Sequence, residues 1–462
     1  MIHPAIEEDI ARSEPSYNGS GPLWAYGSAP AARLDAEGTV FATVPDASRT
    51  VRPLCNSKMR LFMRRPGAGW ETIFENPDYD QREPCPVALL PGGRVLVSIN
   101  PRVAPFRAEP NGSAVMWYCS PLLLEFDAGR PRDFPRLITP VWDEPWPFTD
   151  HSYRGIAADP VRGEVLLLNI EGNLWRGPDT GRYHWCLIDA EGRTGANGVY
   201  AFPVRACYPA VLLRGRAAHV LAVSDIAEPN PAWAAHKKQV LGMKWDYDFR
   251  RLYLAGSPDL DARGFGPPLL VDDADETAGY IRHLDMLCDQ SGDLHILYLR
   301  RNVWKTFMRD RFFPGLPIEI TLQYARARAG AVIQRRSILS CREDASGWLV
   351  DPSGPTGPWG KGEELRTRDP LPTCAGLHIG PGGRVMVLVH QRAVDPDRAG
   401  DSGMFLIEPD GPARRAPVTR PLDLFQAVTD RNGSVTMPGA VDIIGASASL
   451  PETIRFASIP IG

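Results

Sequence analysis

The sequence predicts an all-β fold, a seven-bladed β-propeller with four-stranded antiparallel blades. A strand–turn–strand unit recurs seven times, and a further strand candidate follows each unit. The chain also has 45 prolines and 43 glycines in 462 residues, which implies many tight turns. Repeated units of this kind are typical of blades. An irregular β-sandwich is the alternative, but it does not predict a common spacing between the units.

Each repeat opens with an apolar hairpin whose turn contains a glycine. Glycine suits these turns because a short hairpin turn requires a positive φ. The hairpins begin at Pro30, Pro86, Gly155, Tyr208, His283, Ala375 and Phe425, with turn glycines Gly38, Gly93, Gly163, Gly215, Gly292, Gly383 and Gly433. The outer strand candidates begin at Met59, Ser120, Tyr183, Phe249, Ile318, Gly403 and Glu452. Together they predict seven four-stranded blades.

The repeats fill the chain, so residues 1–462 are expected to form one domain. Residues 1–20 are an N-terminal extension, and long insertions lie near 227–279 and 342–373. Helices are expected to be few. The best candidates begin at Pro231, in PAWAAHKKQVLG, and at Trp304, in WKTFMRDRFF. Both lie in insertions between strands, where function is often added.

Composition excludes several classes of protein. The net charge of −4 provides no basic field for nucleic acid. No apolar run has the length of a membrane span or of a signal-peptide core. The chain as given is therefore expected to be cytoplasmic, or exported if it is a processed form, and to have no membrane partner.

The eight cysteines show no CxxC pair and no Cys/His cluster with zinc-ligand spacing. Buried, reduced thiols are the interpretation, with no metal ligands and no cofactor predicted. A structural Ca²⁺ or other ion held by backbone carbonyls leaves no trace in a sequence. The sequence also lacks a GxSxG elbow, HExxH, a Walker loop and a GxGxxG after a strand.

In a propeller, the start of each first strand and the end of each second strand share one rim. The residues at these positions are mostly polar, so we predict a polar funnel that pairs its arginines internally or binds an acidic ligand. The strand starts are Trp24, Tyr26, Arg82, Glu83, His151, Tyr153, Arg154, Arg205, Tyr208, Tyr280, Arg282, His283, Thr373 and Cys374. The strand ends are Asn100, Asn169, Glu171, Ser224, Asp225, Arg300, Arg301, His390 and Gln391.

His151, in WPFTDHSYRG, is the leading functional candidate. The alternative is that it merely caps a turn. Trp146, five residues before it, offers a flat apolar surface of the kind on which sugars stack. Arg205 and Tyr208, in VRACYPAV, begin the next blade and are expected to lie beside His151. His283 is either a ligand-binding group or a hydrogen-bonded core residue.

The hairpins resemble those of BNR-type, sialidase-like propellers that act on carbohydrates, although strict Asp-boxes are missing. A closer resemblance is to the propeller polysaccharide lyases, the ulvan lyases and related rhamnose-uronate-cleaving propellers. In those lyases a His that opens one blade is followed by Arg and Tyr from the next. HSYRG from His151 and RACYP from Arg205 stand in this order, while Asn169 replaces the lyases' second histidine.

This resemblance implies β-elimination on a glycan that contains uronic acid, with an acidic oligosaccharide or polysaccharide as partner. The implied catalytic residues are His151, Tyr208 and Arg205. Elimination needs a cation for the carboxylate, a base and an acid. Arg205 and Arg154 suit the first role, and Tyr208 or His151 the other two. The implied substrate-binding residues are Arg154, Tyr153, His283, Arg282, Asn169, Glu171, Asp225, Trp146 and His390.

Two other functions remain open at this stage. A glycoside hydrolase on the same scaffold requires two carboxylates, for which Glu171, Asp225, Asp285 and Glu83 are candidates. A carbohydrate-binding propeller without activity would use the funnel only to hold a ligand.

Overall fold

A computed structural model describes residues 1–16, 18–24, 29–47, 54–76, 80–108, 115–172, 181–242, 247–350, 365–410, 416–419 and 422–461. The all-β class is confirmed: the chain forms many four-stranded antiparallel sheets and few helices. In the first half of the chain the strands are β1 (Ile6–Arg12), β2 (Ala31–Arg33), β3 (Val40–Ala47), β4 (Ser57–Arg65), β5 (Gly69–Glu75), β6 (Val87–Leu90), β7 (Arg94–Ile99), β8 (Arg102–Ala108), β9 (Val115–Cys119), β10 (Leu122–Asp127), β11 (Arg136–Ile138), β12 (Phe148–Thr149), β13 (Arg154–Asp159), β14 (Glu164–Ile170), β15 (Arg182–Ile188), β16 (Thr194–Ala201), β17 (Ala206–Arg214) and β18 (Ala217–Ser224).

The second half contains short helices as well as strands. The elements there are β19 (Ile226–Ala227), α1 (Pro231–Leu241), β20 (Tyr247–Asp248), β21 (Arg251–Ser257), α2 (Leu260–Arg263), β22 (Leu269–Asp273), β23 (Tyr280–Cys288), β24 (Leu294–Arg301), α3 (Thr306–Phe312), β25 (Glu319–Arg328), β26 (Ala331–Val350), β27 (Leu365–Thr367), β28 (Leu371–Ile379), β29 (Val385–Arg392), β30 (Gly403–Ile407), β31 (Ala416–Val418), β32 (Leu424–Ala427), β33 (Ala440–Ser447) and β34 (Leu450–Pro460), with 3₁₀ turns at Pro381–Gly383 and Pro396–Asp401.

Over the described residues, the large sheets follow one another along the chain. Sheet 1 is β2-β3-β4-β5, sheet 2 is β6-β7-β10-β11, sheet 3 is β13-β14-β15-β16, sheet 4 is β17-β18-β21-β22, sheet 5 is β23-β24-β25-β26-β27, sheet 6 is β28-β29-β30-β31 and sheet 7 is β32-β33-β34-β1. Two small sheets, β8-β9-β12 and β19-β20, lie in insertions.

The first strands of these sheets contact one another in chain order, from β2 through β6, β13, β17, β23 and β28 to β32. Apolar side chains fill the space between adjacent sheets, for example where Ile156 of sheet 3 meets Leu96 of sheet 2. A further cluster joins Val40 of sheet 1 to Ile444 of sheet 7. Because the last sheet packs on the first, the series closes in the cyclic order typical of propeller blades.

The seventh hairpin differs from its prediction. A first strand is present there as β32, which begins at Leu424, but the second strand is β33, which starts at Ala440 instead of following Gly433 directly. Residues 428–439, here called the plug loop, run between β32 and β33. Asn432 donates hydrogen bonds to the carbonyl oxygens of Ala31 and Val87, at 2.9 and 3.0 Å. The local sequence predicts a hairpin turn here because asparagine and glycine favour turns wherever they occur.

The plug loop ties several sheets together at one end of their first strands. Arg431 donates to Asp285 of sheet 5 at 2.8 Å, and the Arg431 carbonyl accepts from Ala158 of sheet 3. Above the loop, Arg282, Asp285 and Arg431 help to line a cavity of about 20 Å³. Such a cavity holds about one water molecule.

The predicted N-terminal extension and insertions contain strands of the large sheets as well as helices. The segment 1–20 contains β1, which pairs antiparallel with β34 and completes sheet 7. The two predicted helices are present as α1 and α3, whereas β21 and β22 of the 227–279 segment belong to sheet 4. The 342–373 segment begins within β26, and its residues 351–364 lie outside the described residues. No helix in the described ranges is both long and apolar enough to cross a membrane.

Candidate active site

Polar and aromatic side chains gather where the first strands of sheets 3 and 4 begin. The group, here called the rim cluster, contains Trp24, Arg82, Glu83, Asp150, His151, Tyr153, Arg154, Arg205, Cys207, Tyr208 and Asp225. Six of the predicted site residues belong to it, so the repeat geometry brought them together as expected. Tyr26, which the repeat pattern also places at this rim, lies outside the described residues.

His151 is held by a carboxylate. Its Nδ1 lies 2.7 Å from Oδ1 of Asp150, while Oδ2 of Asp150 accepts the backbone N–H of Trp117 at 2.8 Å. The Asp150 side chain is fully buried and that of His151 is 25% exposed. An Nδ1–H donated to Asp150 leaves the lone pair on Nε2, the form in which imidazole accepts a proton.

The charge state of His151 suits the same role. Burial lowers the pKa of His151, and the positive charge of Arg82 lowers it further, while Asp150 opposes the change. The ring is therefore neutral at neutral pH. A neutral imidazole that keeps some exposure and has a fixed tautomer can serve as a general base.

Arg205 is committed to an ion pair within the cluster. It is 2% exposed, and its Nη1 donates to Oδ2 of Asp225. The Cys207 thiol donates to the same oxygen at 2.9 Å. The guanidinium also lies over the ring of Tyr153, 5.6 Å from its centroid. Asp225 thus orients Arg205, and the arginine's positive charge stays within the aromatic part of the cluster.

Tyr208 adopts a strained backbone conformation. Its φ is +58°, and the pairing of β17 with β18 shifts register between Cys207 and Ala210. Bulges of this type re-aim a side chain, and a non-glycine residue in this region is costly unless its surroundings hold it there. His283 provides such support, since its Nε2 donates to the Tyr208 carbonyl at 2.6 Å.

Aromatic rings fix the positions of the two tyrosines. The centroid of Tyr208 lies 4.6 Å from that of Tyr153 and 5.1 Å from that of Trp24. Arg82 packs over the Trp24 ring at 5.1 Å. Burial raises the pKa of Tyr208 well above its usual value, and that of Tyr153 as well. Both phenols therefore carry their protons at neutral pH and can act as acids.

Glu83 is the least satisfied carboxylate of the cluster. Its Oε1 lies 3.6 Å from Nη1 of Arg82, beyond hydrogen-bonding distance, and neither atom has a hydrogen-bond partner among the described residues. Burial raises the pKa of Glu83 to about 7, although Arg82 and Arg154 oppose the rise. Near neutral pH this carboxyl group therefore exists in both protonation states.

Glu171 and Trp146 form a second group, further along sheet 3. Oε1 of Glu171 accepts from Arg182 at 2.7 Å and lies 3.2 Å from Nε2 of His184. The Trp146 ring stacks on His184 at 6.2 Å. Burial acts to raise the pKa of Glu171, but the bonds from His184 and Arg182 outweigh it and hold this pKa below its usual range. Glu171 is thus a structural ion-pair partner as well as a predicted ligand.

The remaining predicted binding residues lie apart from His151. Asn169 is fully buried and pairs with Arg154 across the strands of sheet 3. Arg282 lines the small cavity above the plug loop. His390 of sheet 6 contacts the Thr373 hydroxyl at 2.6 Å and Asp423 at 3.2 Å. His283 is buried beneath Tyr208, and burial lowers its pKa to about 4. Substrate contact by these four stays a prediction.

Sequence reasoning left two important side chains out of the predicted site. Asp150 immediately precedes His151, and this adjacency was the available signal. Glu83 was placed at the rim and considered only as an ion-pair partner or a hydrolase carboxylate. No sequence signal reports that burial leaves its Oε1 without a partner. Among the described residues, no group of three or more His, Cys, Asp or Glu side chains could hold a metal ion.

Comparison with known proteins identifies relatives in structure alone. No protein-family model and no curated protein matches the chain. A crystal structure of the polysaccharide lyase Uly1 matches with a TM-score of 0.51 at 11% identity and covers 99% of both chains. The α-L-arabinanase of Penicillium chrysogenum, complexed with arabinobiose, matches with a TM-score of 0.45 at 11% identity, covering 99% of this chain and 98% of its own. The likeness to Uly1 shows a shared fold.

Proposed function

We propose that the seven large sheets are the blades of a seven-bladed β-propeller, and that the rim cluster is the active site of a carbohydrate-active enzyme. The enzyme cleaves a glycan that contains uronic acid by β-elimination. One observation carries the reaction: His151, oriented by Asp150, lies within the same cluster as three arginines and two protonated tyrosines. The fold shared with the lyase Uly1 supports the class of enzyme.

The proposed reaction uses each group in the state described above. Nε2 of His151 takes the proton from C5 of the uronate, a double bond forms between C4 and C5, and the C4–O bond breaks. The Tyr208 hydroxyl gives its proton to the departing oxygen. Arg205 and Arg82 stabilise the negative charge that develops on the carboxylate as the C5 proton leaves.

Tyr208 is the better acid of the two tyrosines because it is more accessible. Tyr153 is only 7% exposed and lies beneath Arg205, whereas Tyr208 is partly exposed. The strained backbone of Tyr208, supported by His283, also indicates that its position matters for function.

Glycoside hydrolysis is the second candidate, and Glu83 favours it. A hydrolase needs one carboxyl group with a raised pKa as acid and a second as base or nucleophile. Glu83 meets the first requirement. Asp225 and Asp150 are the nearby carboxylates, but Arg205 and His151 already bind them. The arrangement therefore supports elimination better.

The test is a product assay over a panel of uronate-containing polysaccharides. Elimination leaves an unsaturated uronate that absorbs in the near ultraviolet, whereas hydrolysis releases reducing sugar without this absorbance. We expect the absorbance to rise with the wild type and not with His151→Ala. His3→Ala, on the exposed N-terminal segment, is the matched control and should retain activity.

Three results would contradict the proposal in different ways. Reducing sugar without absorbance would assign a hydrolase. Binding of glycans without either product would assign a carbohydrate-binding propeller. Full elimination activity in His151→Ala would remove His151 from the mechanism.

A further inference from the structure

The ion pair between Arg82 and Glu83 is longer than the Arg205–Asp225 and His151–Asp150 pairs of the rim cluster. Three arginines, Arg82, Arg154 and Arg205, face three carboxylates. Asp225 is bound by Arg205 and Cys207. Asp150 is bound by His151 and by the backbone of Trp117. Glu83 remains, and it approaches Arg82 without a hydrogen bond to it through Oε1.

A buried donor and a buried acceptor without partners are unusual in a folded protein, and each costs free energy. Nη1 of Arg82 and Oε1 of Glu83 are such a pair, 3.6 Å apart in residues that are 9% and 6% exposed. They adjoin Tyr153, whose ring also contacts Trp24. Unsatisfied buried atoms in this position call for a partner, which a bound ligand or an ordered water supplies.

We propose that Glu83 determines specificity for acidic sugars by controlling the charge available on Arg82. When Glu83 is ionised, it neutralises Arg82. When Glu83 holds a proton, Arg82 retains a full positive charge with which to pair with a substrate carboxylate. Glu83 takes this proton from solvent as the acidic sugar binds and returns it to solvent when the product leaves. The proposal rests on the proposed function and names a positioning residue for it.

The surroundings of Glu83 make this exchange feasible near neutral pH. The charged and titratable groups that act on it come from its own segment and from the segments that begin sheets 3 and 4. Burial raises the pKa of Glu83 to about 7 despite these neighbours, so protonation costs little at neutral pH. The groups are Arg82, Cys85, Asp150, Tyr153, Arg154, Arg205 and Cys207.

Binding measurements test the proposal directly. A galacturonate oligosaccharide and its carboxyl-reduced, neutral counterpart are titrated calorimetrically into wild type and Glu83→Gln at pH values from about 6 to about 8. We expect the wild-type Kd for the acidic sugar to rise about tenfold per pH unit above the Glu83 pKa. In Glu83→Gln, which imitates the protonated acid, this Kd should stay low across the range. The neutral sugar should show no such dependence in either protein.

Kinetics separate this role from a structural one. In Glu83→Gln the alkaline rise in KM should disappear, because the charge that Arg82 offers to the substrate no longer changes with pH. Glu164→Gln, at the far end of β14, is a matched buried control and should retain the wild-type pH dependence. An identical pH dependence of the acidic-sugar Kd in Glu83→Gln and wild type would overturn the proposal.

If no acidic sugar binds, that result contradicts the proposed function itself. The role of Glu83 can then still be tested by a stability measurement without ligand. A raised pKa in the folded state means that wild type loses stability as pH rises from the ordinary glutamate pKa towards about 7. Glu83→Gln lacks this loss, so its free energy of unfolding relative to wild type should increase from about pH 5 to about pH 8. A difference that is independent of pH would overturn the role of Glu83 separately.

Discussion

The rings of Tyr153 and Tyr208 lie with their centroids 4.6 Å apart, although the two residues come from different sheets. Tyr153 is buried beneath Arg205, and Tyr208 is partly exposed on a backbone with φ of +58°. The contact thus joins the buried phenol of Tyr153 to the partly exposed phenol of Tyr208. It also means that the two hydroxyl groups can be tested separately by removing one oxygen at a time.

Tyr208→Phe should lower kcat about a hundredfold or more, because it removes the proton donor while keeping the ring contacts. Tyr153→Phe should have a much smaller effect on kcat, since it removes a buried hydroxyl that supports Arg82. Initial rates on the substrate found in the product assay measure both. Equal losses in the two variants would contradict the assignment of the acid to Tyr208.

Asp150→Asn should lower the maximal rate about a hundredfold, because the amide no longer fixes the His151 tautomer. The pH profile should also change. Wild type loses activity as pH falls through the His151 pKa, which burial already places below the usual value. Asp150 raises that pKa, so its removal should shift the acidic limb to lower pH. A profile of kcat/KM against pH tests this, and an unchanged limb would contradict the coupling of the two residues.

Gly433→Ala should destabilise the protein by about 3 kcal/mol or more. Gly433 has a φ of +80° within the plug loop, and a Cβ there would lie 2.1 Å from the Leu89 carbonyl oxygen. Gly382→Ala is the matched control, since it has a similar φ of +71° with no atom within 4 Å of the added Cβ. It should cost only about 1 kcal/mol. Denaturant unfolding of both variants measures the difference, and equal losses would contradict the close packing of the plug loop.

Reducing agents should leave the melting temperature unchanged, because all eight cysteines are unpaired and buried. Burial also raises the pKa of the Cys374 thiol to about 12 and that of Cys341 to about 11. A thiol reagent should therefore react only as the chain unfolds. Comparing the modification rate with the unfolding rate in denaturant tests this. Rapid modification of the native protein would contradict the burial of the thiols.

Local sequence patterns were enough to predict six of the seven hairpins and most members of the rim cluster. Alternating apolar runs around a glycine specify a hairpin through contacts between near neighbours, and these signals repeat seven times. Once the repeats are aligned, His151, Arg205 and Tyr208 fall at equivalent strand starts. Their proximity follows from the repeat geometry because adjacent sheets pack through their first strands.

Three features depend on the packing of distant segments: the conformation of the plug loop, the burial of Asn169 and the raised pKa of Glu83. The plug loop has the local composition of a turn, and hydrogen bonds to residues far away along the chain, among them Ala31, Val87 and Asp285, hold it in place. The raised pKa of Glu83 likewise arises from desolvation by several segments together. Burial and long-range charge depend on how distant segments pack, and no local pattern of residues encodes them.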